Sequence, residues 1–461
     1  MLADSVQGLL QGKPEFVLID SQKLVFETVL AADARAERRK QVLIVRGGPG
    51  TGKSVLAINL LAALLARGRN ARYVSKNAAP RAVYEARLTG TFTKTRISNL
   101  FSGSGAFVNE AADTHDTLIV DEAHRLNAKS GLYRNLGENQ VLELIRAARC
   151  TVFFVDDDQV VTLHDIGHSA DLRRHAAAAG AEITELELDS QFRCNGSDGY
   201  LQWLDDALGI RETAHPLLEP REFDLRVFDD PAQLHAMIER RNRGNNRSRV
   251  VAGYCWAWPS KRDPQAWDIE MPAFGYRRRW NLDKDGSLWI VTPGSVGQVG
   301  CIHTCQGLEL DYVGVIIGPD LAFREGRVVA DAGRRASSDQ SVKGLRKLAQ
   351  DKPAEAAALA ERIVKNTYRT LMSRGMKGCY VYCVDPALAE HLRSRLAATA
   401  ADDAAASAVA SAPRAGLPLR RVTDAERQAG VPSAPLVSLR FAAGAFGERQ
   451  ALDDGAEAWV A

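Results

Sequence analysis

What the chain lacks narrows its class first. Cysteine is scarce: the seven residues Cys150, Cys194, Cys255, Cys301, Cys305, Cys379 and Cys383 are odd in number and scattered over 461 positions. That pattern fits a reducing compartment and argues against a disulfide framework. Cys301/Cys305 and Cys379/Cys383 lack the Cys-x-x-Cys spacing of zinc sites and border strand-like apolar runs, so buried small side chains are their expected role. No apolar run approaches the roughly 18 residues of a membrane span. The segment Met1–Lys13 has neither the basic start nor the apolar core of a signal peptide. The expectation is a cytoplasmic protein with no membrane partner. An excess of charge is missing too: 59 Lys and Arg against 57 Asp and Glu leave +2. A protein that grips nucleic acid over its whole surface is more basic, so any such site has to be a local groove.

What is present is ordinary globular composition, 46% hydrophobic and 25% charged, which rules out a disordered chain, a collagen-like fibre and a coiled coil. Over residues 41–190, short β-branched runs (Val42–Val45, Arg72–Ser75, Thr117–Asp121, Thr151–Asp156, Ile183–Leu188) alternate with helical stretches such as Val55–Ala66 and Val141–Ala148. Continuous apolar runs of this kind suit strands buried on both faces of a parallel sheet. The pattern restarts after residue 222. Strands are expected at Leu225–Phe228, Arg249–Tyr254, Leu288–Thr292, Tyr312–Ile317 and Gly378–Val384, and helices at Pro231–Arg241, Glu361–Met372 and Pro386–Ala397. Residues 323–360, charged and rich in alanine, read as a mobile insertion or exposed helices. Residues 396–416 read as a low-complexity linker with no apolar face to bury.

The strongest motif is Gly47-Gly48-Pro49-Gly50-Thr51-Gly52-Lys53-Ser54, followed by Val55. It fills G-x-x-x-x-G-K-[ST] between a strand and a helix, the context that gives the pattern its meaning. Glycines let backbone N–H groups close around phosphate oxygens, and the helix N-terminus adds positive potential. Lys53 has the reach for β- and γ-phosphates, and Ser54 suits Mg²⁺. A second apolar strand ends in Asp121-Glu122-Ala123-His124. There Asp121 would hold Mg²⁺ and Glu122 would polarise the attacking water.

The remaining motifs discriminate among NTPases. Asp121–His124 resembles a DEAx box. Asp156-Asp157-Asp158-Gln159 resembles helicase motif III, Gln191-Phe192-Arg193 motif IV, His303–Glu309 motif V and Tyr368–Arg374 motif VI. Asp20-Ser21-Gln22 is placed like a Q motif, and Ser75–Ala79 like motif Ia. The series stands in helicase order. Its wording (GGPGTGKSV, IVDEAHRL, QFRCNGSD, VAGYCWAW, GCIHTCQGLELDYVGVIIG, NTYRTLMSRGMKGCYVY) resembles the Schlafen-group-3-like DNA/RNA helicase domain, a superfamily 1-type P-loop ATPase group of bacterial proteins. Val155 departs from the usual Gly of motif III and Gln306 from the usual Lys of motif V, and the chain leaves no room for the large inserted subdomains of processive helicases.

The resemblance implies an α/β chain of two RecA-like parallel-sheet domains with ATP and Mg²⁺ between them. Residues 1–195 would carry the Q-motif-like segment with Walker A and Walker B, and 196–395 motifs V and VI. A linker would follow over 396–432 and a short tail over 433–461. It also implies roles for residues. Gln22 would read adenine, Gln159 would sense the γ-phosphate, Arg193 and Arg374 would act as arginine fingers, Glu309 would touch the ribose, and Arg369 is a weaker candidate. Single-stranded DNA or RNA would cross both domains, with Lys76, Asn77, Trp256, Trp258 and Thr304 as contacts. Basic clusters at Arg240–Arg249, Arg277–Arg279 and Arg334–Lys347 are further candidates. Two functions fit: an ATP-driven helicase or translocase in DNA repair or phage defence, or an ATP-binding, nucleic-acid-gated switch for a partner such as a nuclease.

Overall fold

The computed structural model describes residues 2–13, 18, 20–131, 136–159, 161–189, 198–211, 223–281, 286–305 and 309–397, together with the backbone of 421–422, 434–436 and 458–460. Residues 1–400 form one compact unit and residues 401–461 another.

The first unit holds two parallel sheets. The first sheet comprises β1 (Gln41–Gly47), β2 (Ala71–Ser75), β3 (Phe101–Ser102), β4 (His115–Asp121), β5 (Ala148–Val155) and β6 (Glu182–Leu188), in the order β3-β2-β4-β5-β1-β6. Of the runs expected to be buried on both faces, those in β1, β2, β4 and β5 are, whereas the run in β6, at the sheet edge, is half-buried to exposed until Leu188. Along β1, Leu43 and Val45 face one core with Leu56, Leu60 and Leu64 of the helix Lys53–Ala66. Val42 and Ile44 face another with Leu144 and Leu172. Each such side chain, fully withdrawn from water, contributes about 1.5–3 kcal/mol.

The second sheet comprises β7 (Asp224–Phe228), β8 (Ser248–Ala252), β11 (Val299–Gly300), β12 (Leu310–Ile317) and β15 (Gly375–Cys383), in the order β11-β8-β12-β15-β7, all parallel. Two antiparallel hairpins interrupt it: β9 (Ile269–Met271) with β10 (Tyr276–Arg278), and β13 (Leu321–Arg324) with β14 (Arg327–Ala330). This is the α/β class expected. Four of the cysteines in question, Cys301, Cys305, Cys379 and Cys383, are buried and free, and burial pushes up the thiols of Cys301, Cys305 and Cys383.

One local expectation fails. Leu288–Thr292 is not a strand: Gly286–Leu288 forms one 3-10 turn, and Trp289 and Ile290 are buried in a core shared with Ala79 and Val83 of the first half. The apolar residues there mark an interface between halves, and the pairing slot beside β8 goes to Val299–Gly300. Of the two readings of 323–360, exposed helices is the one seen: the segment carries β14, the helix Leu345–Asp351 and the largely exposed first turns of the helix Pro353–Met372. It is anchored by buried Arg335, which ion-pairs with Asp339 at 2.8 Å and lies 3.6 Å from Asp320.

In the second unit, β16 (Arg421–Val422), β17 (Ala434–Leu436) and β18 (Ala458–Val460) form a small antiparallel sheet with β18 central. Among the described residues, no helix is long and apolar enough to cross a membrane.

Candidate functional site

β1 delivers the glycine-rich loop to the C-terminal edge of the first sheet. Gly50 and Gly52 have φ of 89° and 81°, a left-handed conformation that only glycine adopts freely. The turn they allow starts the helix Lys53–Ala66 at once. Around Gly48 there is no heavy atom within 4 Å of where a Cβ would stand, so this backbone is open to close approach.

The loop is satisfied from within. The ammonium of Lys53, 7% exposed, donates to the carbonyls of Gly47 and Gly48 at 2.6 and 2.7 Å and lies 3.9 Å from the Asp156 carboxylate. Gln22 Nε2 donates to the Thr51 carbonyl at 3.2 Å, so the helix Asp20–Arg35 is tied to the loop. Pro49 is buried, and Val55 is half-buried on the first turn of the following helix.

The acidic pair is built from β4. Asp121 Oδ2 accepts from Ser54 Oγ at 2.6 Å and from the buried Tyr73 hydroxyl at 2.7 Å, while Oδ1 accepts the Glu122 N–H at 2.9 Å. Burial, then the neighbouring charge of Glu122, pushes the Asp121 carboxyl up. Glu122 has φ 54°, a conformation rare outside glycine that turns its side chain back to the site. Burial would raise its carboxyl. His124, Arg374 and Lys53 outweigh that and hold it below the usual carboxylate range. His124 Nδ1 accepts the Asp156 N–H at 3.3 Å, which leaves the proton on Nε2, 2.9 Å from Glu122 Oε2.

The second half enters through Arg374, 1% exposed. Its Nη2 donates to Gln159 Oε1 at 3.1 Å, and Gln159 Nε2 donates to Asp156 Oδ2 at 2.7 Å. One chain of polar contacts therefore runs Lys53–Asp156–Gln159–Arg374 across the cleft. Arg369 does not face solvent: it is buried, ion-pairs with Asp205 and lies 4.0 Å from Asp158. Asp158 is also reached by Arg211 at 2.5 Å.

The site thus gathers Gln22, the loop 47–54, Asp121, Glu122, Gln159 and Arg374. Other expected residues lie elsewhere. Glu309 is exposed just before β12. Lys76 Nζ donates to Asn127 Oδ1 at 2.6 Å, and Asn77 is half-buried at the start of the helix Ala78–Leu88. Thr304 Oγ1 donates to the Cys301 carbonyl at 2.9 Å. Trp256 and Trp258 are half-buried around fully buried Trp280, with ring centroids 6.5 and 5.9 Å from it. Of the basic clusters, Arg249 is internal, bonded to Ser295 and Asn242, and burial pushes its guanidinium down to about 10. Arg193 lies outside the described residues. Sequence reasoning missed Tyr73, His124 as a partner of Glu122, and Asp205. The available signal for Tyr73 was a polar-tipped ring in an otherwise buried central strand, which needs a hydrogen-bond partner.

Among the described residues, no group of three or more His, Cys, Asp or Glu is placed to hold a metal by itself. A divalent cation carried on phosphates needs only one or two protein oxygens. The Ser54 hydroxyl and Asp121 carboxylate, already 2.6 Å apart, are that pair. The donor chemistry fits a magnesium nucleotide.

Residues 40–385 match the family described as Schlafen group 3, DNA/RNA helicase domain. The chain belongs to this family. The Schlafen group 3 match spans both sheets and every motif from the glycine-rich loop to Arg374. A relative is the uncharacterised protein YPL245W of Saccharomyces cerevisiae, 24% identical over 300 residues, which are 60% of this chain and 64% of that protein. The chain therefore spans less than two thirds of that relative. Among solved structures, the arterivirus non-structural protein 10 helicase with DNA is similar at TM-score 0.32 and 14% identity over 81% of this chain and 67% of that one. The Pif1 helicase of Candida albicans is similar at TM-score 0.27 and 12% identity over 49% and 54%. Family membership makes this a helicase-type domain.

Proposed function

We propose that this chain hydrolyses ATP in the cleft between its two sheets and couples the cycle to movement on single-stranded DNA or RNA. The observation that carries this reading is the polar chain from Lys53 through Asp156 and Gln159 to Arg374, which joins the glycine-rich loop to the second half in contiguous short contacts. Bound Mg·ATP would supply the phosphoanhydride whose hydrolysis drives the cycle. Lys53 exchanges its loop carbonyls for phosphate oxygens. Ser54 and Asp121 would hold the cation, and Tyr73 fixes the Asp121 carboxylate. Glu122, kept ionised beside His124, orients water and takes its proton. Arg374 neutralises charge building on the transferred phosphoryl group, and Gln159 reports its departure to the second half. Gln22, tied to the loop through the Thr51 carbonyl, would read adenine. Lys76 and Asn77, at the C-terminal end of β2, are the first-half contacts for the strand.

The test is ATP turnover with and without single-stranded DNA and RNA, and with partial duplexes carrying 3′ or 5′ overhangs. Stimulation by a strand is expected, and Lys53→Ala should abolish turnover. Turnover indifferent to every nucleic acid would overturn the reading. Displacement of streptavidin from an end-labelled strand separates a motor from a switch that only binds ATP and signals to a partner such as a nuclease. Repair or phage defence is the setting proposed for either.

A further inference from the structure

Between β8 and β11 the chain makes a long excursion, residues 253–298, from the C-terminal edge of the second sheet. It carries two of the four large hydrophobic side chains that stand exposed among the described residues, Trp267 at 36% and Phe274 at 40%. Trp267 precedes the hairpin β9–β10 and lies under two cations from β10 and its end: Arg279 is 4.3 Å and Arg277 is 5.6 Å from its ring centroid. Arg279 is pinned there, since its Nε and Nη2 both donate at 3.0 Å to the carbonyls of Ala266 and Gln265. Lys261 stands 4.1 Å from the ring of Trp258, and Arg262 is exposed beside it.

The charge here is not neutralised by acids. Several arginines around the cleft and the second sheet are, as Arg369, Arg335, Arg241 and Arg211 show. Among the described residues, Lys261, Arg262, Arg277 and Arg279 have no carboxylate within 4.0 Å, although Glu270 is the cross-strand partner of Arg277 and Asp263 follows Arg262. Their neighbour Arg278 points to the other face of the hairpin and does reach an acid, Glu239, at 4.0 Å. The outer face therefore pairs uncompensated cations with an exposed indole. In a chain of net charge +2, that combination is local and needs an anion with flat faces to complete it.

We infer that this hairpin face is a stacking platform for single-stranded nucleic acid. Bases would lie on Trp267, and phosphates would be met by Arg277, Arg279, Lys261 and Arg262. A single strand is the occupant because its bases present free faces, whereas those of a duplex are stacked away. The inference rests on the nucleic-acid reading above and adds a contact point in the second half that the motif series does not supply.

The test uses the full chain and a fluorescent dT20 oligonucleotide, with a polyglutamate peptide as competitor. Trp267→Ala should weaken dT20 binding about tenfold, and Trp267→Phe should restore most of it. Arg277→Glu with Arg279→Glu should lower the salt dependence of binding by about two phosphate contacts. Basal turnover without nucleic acid should be unchanged in all three. Wild type binding dT20 with both variants indistinguishable from it overturns the platform and leaves the proposed function standing. Loss of polyglutamate binding in place of dT20 binding overturns it in favour of an acidic protein partner. A wild type that binds no strand overturns both readings.

Discussion

At the scale of single residues, the site is organised around one carboxylate oxygen. Asp121 Oδ2 accepts from both Ser54 and Tyr73, so the buried anion is held by hydroxyls before any cation arrives. A hydrogen bond to a charged acceptor contributes about 1.5–3 kcal/mol. Tyr73→Phe keeps the ring and removes the donor. The Mg²⁺ concentration for half-maximal turnover should rise roughly tenfold, with metal-free nucleotide affinity unchanged. A titration of turnover and of fluorescent-nucleotide binding against Mg²⁺ reads both. Arg374→Lys keeps charge and loses the planar fork that meets Gln159. It should lower kcat about 10³-fold, the scale of an arginine finger, with little change in nucleotide affinity, as single-turnover and equilibrium binding measurements would show.

At the scale of elements, the helix Pro231–Asn242 is fastened to the hairpin by His235. Nε2 donates to the Val296 carbonyl at 2.8 Å, and in the neutral ring Nδ1 then accepts the Tyr276 hydroxyl at 2.9 Å. Burial first, and then the charge of Arg278, pushes His235 down to about 4, although Glu239 lies 3.7 Å from Nε2. An unfolded histidine titrates near 6.5, so below that pH the unfolded chain takes up the proton first. The stabilising share of this residue is therefore whole above about 6.5 and drains away as pH falls toward 4. Between pH 7 and 5 it amounts to about 2 kcal/mol. Urea denaturation of wild type and His235→Asn at the two pH values should show the wild type losing about that much more. Elements were also where the sequence was most and least legible. Strands such as β1 and β4 declared themselves because burial on both faces leaves continuous aliphatic runs. Leu288–Thr292 misled because burial against a second half produces the same apolar signal without a neighbouring strand. Arg249 and Arg335 misled because a run of cations carries no mark of which one turns inward.

At the scale of the molecule, two sheets meet along the loop 156–163. Gln159 meets Arg374 there, Asp158 meets Arg211, and the N–H of Leu163 donates to the Ser341 carbonyl at 3.4 Å. The motif series put Gln159 and Arg374 on the two sides of one cleft, whereas Arg211, Leu163 and Ser341 belong to no motif. The partner of Arg369 was not, because Asp205 stands 164 positions away in a helix that no motif marks. Asp205→Asn leaves a buried guanidinium without its counter-charge. It should cost about 3–5 kcal/mol of stability, measurable by denaturation without ligand. The self-bonded loop has a consequence for the molecule in its cellular medium. An ammonium already seated on two carbonyls discounts every anion by the fraction of time that seat is empty. A lone orthophosphate or sulfate has few contacts with which to offset that discount. A magnesium triphosphate of the kind proposed above would have many, reaching Ser54 and Asp121 through its cation and Arg374 directly. The resting loop would then act as a filter that keeps abundant small anions out of the cleft.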